Sequence, residues 1–149
     1  MALFSSFNIA SSGMTAQRLR MDVIAQNIAN VKSTRTAEGG PYIRKGVVLQ
    51  EKGNNYQIRT FSEIFDATRN GVGNGVKATA IVNDTDTPME KVYDPSHPDA
   101  DENGYVTYPN VNIITEMTDL IDASRSFEAN ATAFEASKSM ASKGLTIGQ

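Results

Sequence analysis

Six consecutive residues, Asp99-Ala100-Asp101-Glu102-Asn103-Gly104, put oxygen ligands at positions 1, 3 and 5 and a glycine at 6. That is how a calcium-binding EF-hand loop opens. The twelfth position is Asn110 rather than the bidentate Glu that closes the calcium shell, and Pro98 and Pro109 deny the flanking helices. The run therefore reads as a tight acidic turn. Gly71-x-Gly73-x-Gly75 is spaced like a dinucleotide loop, but the third glycine would fall at Val76, and no helix signature follows. His97, near Asp94 and Asp99, is the one imidazole available as a base, yet it sits in a proline-rich acidic loop where a turn role is the ordinary one. Asn83-Asp84-Thr85 and Asn130-Ala131-Thr132 are formal glycosylation sequons, meaningful only in a secreted eukaryotic protein. With Cys 0 and His 1, there are no disulfides, thiolate zinc sites, cysteine nucleophiles or histidine metal clusters. No catalytic, cofactor or metal site is expected.

The elements around these residues point to interaction instead. Residues 3 to about 31 and about 112 to 143 hold no proline, and their only glycine is Gly13. Pro41, Pro88, Pro95, Pro98 and Pro109 all fall between them, with eight of the eleven glycines. The pattern predicts a mainly α chain with an inserted β-rich segment. Its parts are an N-terminal helical region 1–34, an irregular β-rich middle 35–110 and a C-terminal helical region 111–149. In the middle, Tyr42–Gln50, Gly75–Val82, Tyr56–Phe61 and Met89–Tyr93 are strand candidates, and Asn70–Gly75 is a loop. For the second helix, Pro109 with Asn110 or Asn112 makes a start and Lys143-Gly144 an end.

Both terminal segments keep a seven-residue period in steps of three and four. Phe7, Ala10, Met14, Gln17, Met21, Ile24, Ile28 and Val31 form one seam. Ile113, Met117, Leu120, Ser124, Phe127, Ala131, Phe134, Lys138, Ala141 and Leu145 form the other. At 1.5 Å per residue each segment reaches roughly 45 Å, and two helices of matched reach predict an antiparallel coiled-coil-like pair. An intramolecular hairpin alone would leave Leu3, Phe4, Ile9, Ile114, Ile121, Met140 and Ile147 without partners, so contacts between chains are expected as well.

Leu, Ile, Val and Phe together number 32 of 149 residues, too few for a large independent core. No run approaches the roughly 18 apolar residues of a membrane span, which argues against membrane insertion. The formal net charge of −3 carries no nucleic-acid footprint. Met1–Asn8 holds no Lys or Arg, so the basic start of a cleaved signal is missing. Charge is segregated in the middle region: residues 32–77 carry eight bases and four acids, residues 78–102 seven acids and Lys91. Neighbouring patches of opposite sign suit subunit pairing, although a solvated surface is the default.

Met21-Asp22-Val23-Ile24-Ala25-Gln26-Asn27-Ile28-Ala29-Asn30-Val31 resembles the N-terminal helix signature of bacterial flagellar rod, hook and related axial proteins, most specifically in Asn27-Ile28-Ala29-Asn30. Gly40–Leu49, Val92–Val106, Tyr108–Asn112, Ala123–Asn130 and Leu145–Gln149 continue the resemblance in order and narrow it to basal-body rod subunits. Residues 53–74 depart from it. The resemblance implies a structural subunit of the proximal rod that transmits motor torque to the hook and filament. Its expected partners are copies of itself and other flagellar rod proteins: the adaptor toward the export gate and MS ring, proximal rod subunits and the distal rod. It further implies export by the flagellar type III apparatus without a cleaved signal, and assembly in the periplasm. The residues expected at assembly interfaces are Phe7, Met14, Met21, Ile24, Asn27, Ile28, Asn30, Val31, Ile113, Met117, Leu120, Phe127, Asn130 and Phe134. Two other readings compete: a soluble coiled-coil adaptor forming a closed oligomer, and a small hydrolase using Asp99, Asp101 or His97.

Calcium titrated into the protein should give no micromolar binding isotherm in calorimetry, because the missing carboxylate removes two oxygens of the shell. A micromolar site abolished by Asp99→Ala would overturn this.

Overall fold

The computed structural model describes residues 2–37, 39–53 and 73–147. Helix α1 spans Ala2–Ala29 and helix α2 spans Ile113–Ile147. Between them lie β1 (Lys45–Glu51), β2 (Val76–Asn83), β3 (Glu90–Tyr93) and β4 (Tyr105–Tyr108). The fold is two long helices flanking two small antiparallel sheets, β1–β2 and β3–β4.

Local chemistry sets the helix ends. Asn112 Oδ1 accepts the amides of Ile114 and Thr115, capping the N-terminus of α2. At the end of α1, Asn30 donates from Nδ2 to the Gln26 carbonyl and accepts the Ser33 hydroxyl. The helix therefore stops at Ala29, and Val31 lies in the turn beyond it. Helix α2 runs on through Gly144 rather than ending there, since a glycine inside a helix costs only about 1 kcal/mol.

The strands follow the β-branched runs. β1 pairs with β2 from Lys45↔Asn83 to Glu51↔Val76, with a register shift between Val48 and Leu49. β3 pairs with β4 from Glu90↔Tyr108 to Tyr93↔Tyr105. β4 is a strand that the sequence pattern did not single out. The Tyr56–Phe61 candidate, half of the Asn70–Gly75 loop and nearly all of the divergent stretch 53–74 lie outside the described residues.

Partners along α1 and α2 run in opposite chain order. The Phe7 and Phe134 rings meet edge to face at 4.9 Å, Gly13 faces Asn130, Arg20 bonds Asp119 and Asn27 bonds Glu116. Many of the residues buried on the two helices are small or polar: Ala10, Ala16 and Asn27 on α1, and Glu116, Ala123 and Ser137 on α2. Small side chains let the two backbones approach closely. Val23 and Ile24 are the buried large apolar residues of α1. The β1–β2 sheet is tied to the same helix, since Ser12 Oγ accepts the Val76 amide while donating to the Ile9 carbonyl. A Cβ at Gly75, whose φ is +92°, would collide with that hydroxyl, so the crossing demands glycine.

A glycine-to-alanine change inside a helix ordinarily stabilises by about 1 kcal/mol. At Gly13 the sign should reverse, because a Cβ there would stand 2.7 Å from Asn130 Oδ1. Asn130 would have to turn away and give up its bond to the Ser126 carbonyl. Urea denaturation should place Gly13→Ala below wild type, and Gly13→Ala/Asn130→Ala above the single variant. A stabilised single variant would show that the helices are not this close.

Candidate assembly site

Where α1, β1 and the start of α2 converge, a polar junction replaces an apolar core. Asn27 is wholly buried and makes four hydrogen bonds. Its Oδ1 accepts the Tyr42 hydroxyl at 2.9 Å and the Lys45 amide at 3.0 Å. Its Nδ2 donates to the Lys45 carbonyl at 2.8 Å and to Glu116 Oε2 at 3.0 Å. The amide thus pairs with the Lys45 backbone as a neighbouring strand would, and it uses its full bonding capacity.

Glu116 is buried as a carboxylate and needs a cation. Arg44 supplies it, donating from Nε to Glu116 Oε1 at 2.6 Å. The rest of the guanidinium approaches Asp84 and Asp119, each at 3.7 Å, and Arg20 reaches Asp119 at 3.3 Å. Asn110 completes the junction: its Oδ1 accepts the Arg44 amide, and its Nδ2 donates to the Asp84 and Thr87 carbonyls. Burial, with the Glu116 charge nearby, pushes the Tyr42 hydroxyl above its ordinary range, so it remains a donor. Hydrogen bonds from the Thr87 amide and hydroxyl, with the Asp86 amide and Arg44, hold Asp84 below the usual carboxylate range.

The residues expected at interfaces separate into two groups. Asn27, Ile24, Asn30 and Asn130 are engaged within the chain, and Phe7 and Phe134 pack on each other. Met14, Met21, Ile28, Val31, Leu120 and Phe127 are half-buried, whereas Ile113 and Met117 are exposed at 43% and 53%. Beside them Ile114 is 78% and Ile121 53% exposed. Arg44, Glu116, Tyr42 and Asn110 are the junction residues that spacing did not reveal. Their signal was a charged or polar residue flanked by strand or cap patterns.

The acidic run Asp99–Gly104 and His97 form turn elements. Asp101 Oδ1 accepts the amides of Asn103 and Tyr105, and Gly104 takes φ +78°. Asp99 accepts the Thr34 hydroxyl, and His97 Nδ1 accepts the Asp99 amide. Ser96 bonds Asp94 through both amide and hydroxyl and lowers its pKa. Among the described residues no group of three His, Cys, Asp or Glu is placed to hold a metal ion. No described helix is long and apolar enough to cross a membrane.

Two long helices thus bracket a small β insertion, and apolar residues stay exposed on the second helix. Residues 7–35 match the family model for the flagella basal body rod protein, and residues 102–147 that for the flagellar basal body rod FlgEFG protein C-terminal. The chain is 49% identical to the flagellar basal-body rod protein FlgC of Borreliella burgdorferi over 100% of its own length and 99% of the relative. It is 46% identical to FlgC of Bacillus subtilis and 39% to FlgC of Salmonella typhimurium, each over the full length of both chains. The chain belongs to the flagellar basal-body rod protein FlgC family, and it is a structural subunit of the basal body that serves motility.

The junction has an asymmetry that denaturation can read. Arg44→Met leaves Glu116 buried without its cation and should cost about 3–5 kcal/mol. Glu116→Gln leaves Arg44 with Asp84 and Asp119 and should cost about 1–3 kcal/mol. Equal losses, or the reverse order, would show that Arg44 is not the counter-charge that Glu116 requires.

Proposed function

We propose that this chain is a subunit of the proximal rod, assembled helically in the periplasm, where it transmits motor torque toward the hook and filament. It reaches that site through the flagellar type III export apparatus without a cleaved signal peptide. In this reading α1 and α2 form an antiparallel coiled-coil-like pair, and regions 1–34 and 111–149 build the rod while 35–110 decorates it. Partners are copies of the chain and other rod proteins: the adaptor toward the export gate and MS ring, proximal subunits and the distal rod. The curated relatives are named as structural rod proteins, and a non-catalytic role fits that.

One observation carries the reading: an apolar row on the outer face of α2, Ile113, Ile114, Met117 and Ile121, stands 43–78% exposed in a basal-body rod family chain. Exposed patches of this kind mark surfaces that other subunits cover. Met14, Met21 and Ile28 offer a second half-covered stripe at seven-residue spacing along α1.

The test is complementation of a motile strain lacking its own copy, scored by swimming and by recovery of basal bodies. Met117→Asp and Ile121→Asp alter exposed positions, so the purified chain should keep its helical circular dichroism and its export. Basal bodies should nevertheless fail to form, because each subunit buries an unpaired carboxylate at a contact, at several kcal/mol per interface. His97→Ala and Asp86→Ala should swim. If His97→Ala abolishes motility while Ile121→Asp swims normally, the rod reading is wrong.

A further inference from the structure

The outer face of the β3–β4 hairpin carries an aromatic shelf that nothing above uses. Tyr93 and Tyr105 are cross-strand neighbours, 64% and 44% exposed, with ring centroids 5.3 Å apart at 65°. With Lys91, Asp101 and Asn103 they line a groove of about 560 Å³. The hairpin holds these rings in place without a partner. The Asp94 amide bonds the Gly104 carbonyl and the Asp101 amide the Tyr105 carbonyl, both at 2.9 Å. Gly104 lies so close to the Tyr93 ring that a Cβ there would stand 3.0 Å from it. Pre-set rings lose little entropy when a ligand covers them.

The polar ends around the groove are unspent. Asp101 uses Oδ1 within its turn, and its Oδ2 has no partner among the described residues. The Tyr93 and Tyr105 hydroxyls, the Asn103 side-chain amide and the Lys91 ammonium are likewise unpaired among the described residues. Glu102 is exposed in the turn next to Asp101, and Lys91 is the only Lys or Arg in residues 78–102 against seven acids. Ring faces flanked by carboxylates suit a guanidinium, which stacks on the ring and forks onto a carboxylate. The acidic surround disfavours phosphate and nucleic acid.

We infer that this shelf receives Arg35 of a second copy of the chain. Among the described residues of the basic stretch 32–77, Arg35 is the exposed arginine: its side chain is 83% exposed, and its ion contact to Asp99 of its own chain is a loose 4.0 Å. Lys32, also exposed, lies three residues before it in the same turn. A two-fold contact of shelf on shelf would set acids against acids, so the partner surface must differ from the shelf. A contact between these unlike patches can repeat from copy to copy. The inference rests on the rod reading and adds to it the residues and chemistry of one contact between copies.

Sedimentation of the full chain across concentration tests it. Association should weaken with salt, and Tyr93→Ala/Tyr105→Ala should raise the concentration needed by about tenfold. Glu102→Arg and Arg35→Glu should each weaken association, and the two together should recover most of the loss, since a swapped pair restores the attraction. A double variant no better than the worse single, or a chain that stays monomeric throughout, overturns the assignment. In cells, Tyr93→Ala/Tyr105→Ala should lower basal-body recovery. Wild-type recovery would sink the shelf alone, while the rod reading would still stand or fall with the α2 variants.

Discussion

The four hydrogen bonds of Asn27 are the constraint on which the remainder hangs. A buried amide with an unmet donor or acceptor costs about 1–3 kcal/mol per group, so Asn27 admits only one arrangement of its surroundings. Lys45 must present both backbone groups, Tyr42 its hydroxyl and Glu116 its carboxylate. Those partners sit on β1, on the segment before it and on the first turn of α2. One side chain therefore sets the height of α2 against α1 and the angle at which the β insertion leaves. Arg44 follows from Glu116, since a buried carboxylate without a cation would reverse the gain. Asn110 repeats the device on a smaller scale, bridging the Arg44 backbone to the carbonyls of Asp84 and Thr87.

Register fixed by polar bonds frees the helix seam from needing large apolar side chains. Gly13, Ala16, Ala123 and Ser137 bring the backbones together, and Asn130 fills the space that Gly13 leaves. Such a seam buries little apolar area per turn. At about 25 cal/mol per Å² it contributes far less than a seam of Leu and Ile would. The polar junction sets the geometry, while Ile113, Ile114, Met117 and Ile121 remain exposed on α2.

The sequence made the architecture legible and the seam only half so. Helices α1 and α2, three of the four strands and the turn at Asp99–Gly104 follow from proline placement, β-branched runs and cap residues. The seam was harder because two stripes share one period. Met14, Met21 and Ile28 repeat every seven residues, and so do Gly13, Arg20 and Asn27, one position earlier. Met117 and Ser124 stand one position after Glu116 and Ala123 in the same way. A search by hydrophobicity selects the first stripe of each pair; the internal polar contacts follow the second, while Phe7, Ile24 and Phe134 of the hydrophobic seams are also packed within the chain. Nothing in periodicity reveals that Asn27 is wholly buried, because an asparagine in a helix is ordinarily a surface residue. Only the convergence of Tyr42, Lys45 and Glu116, distant in sequence, makes that burial tolerable.

That offset of one position bears on how a subunit of this family can serve two sets of contacts. A helix pair sealed by its own Met and Ile stripe would be satisfied as a monomer, with little apolar area left for neighbours. Sealed instead mainly by small and polar residues, with Phe7 on Phe134, it keeps Ile113, Ile114, Met117 and Ile121 outside, where area can be buried against another chain. Polar bonds with strict geometry specify one internal register, and non-directional apolar contact tolerates the small angular differences between neighbours in a curved wall. The division follows from the physics of the two interactions. Directional bonds are placed where the structure must be unique, and undirected ones where it must fit more than one neighbour.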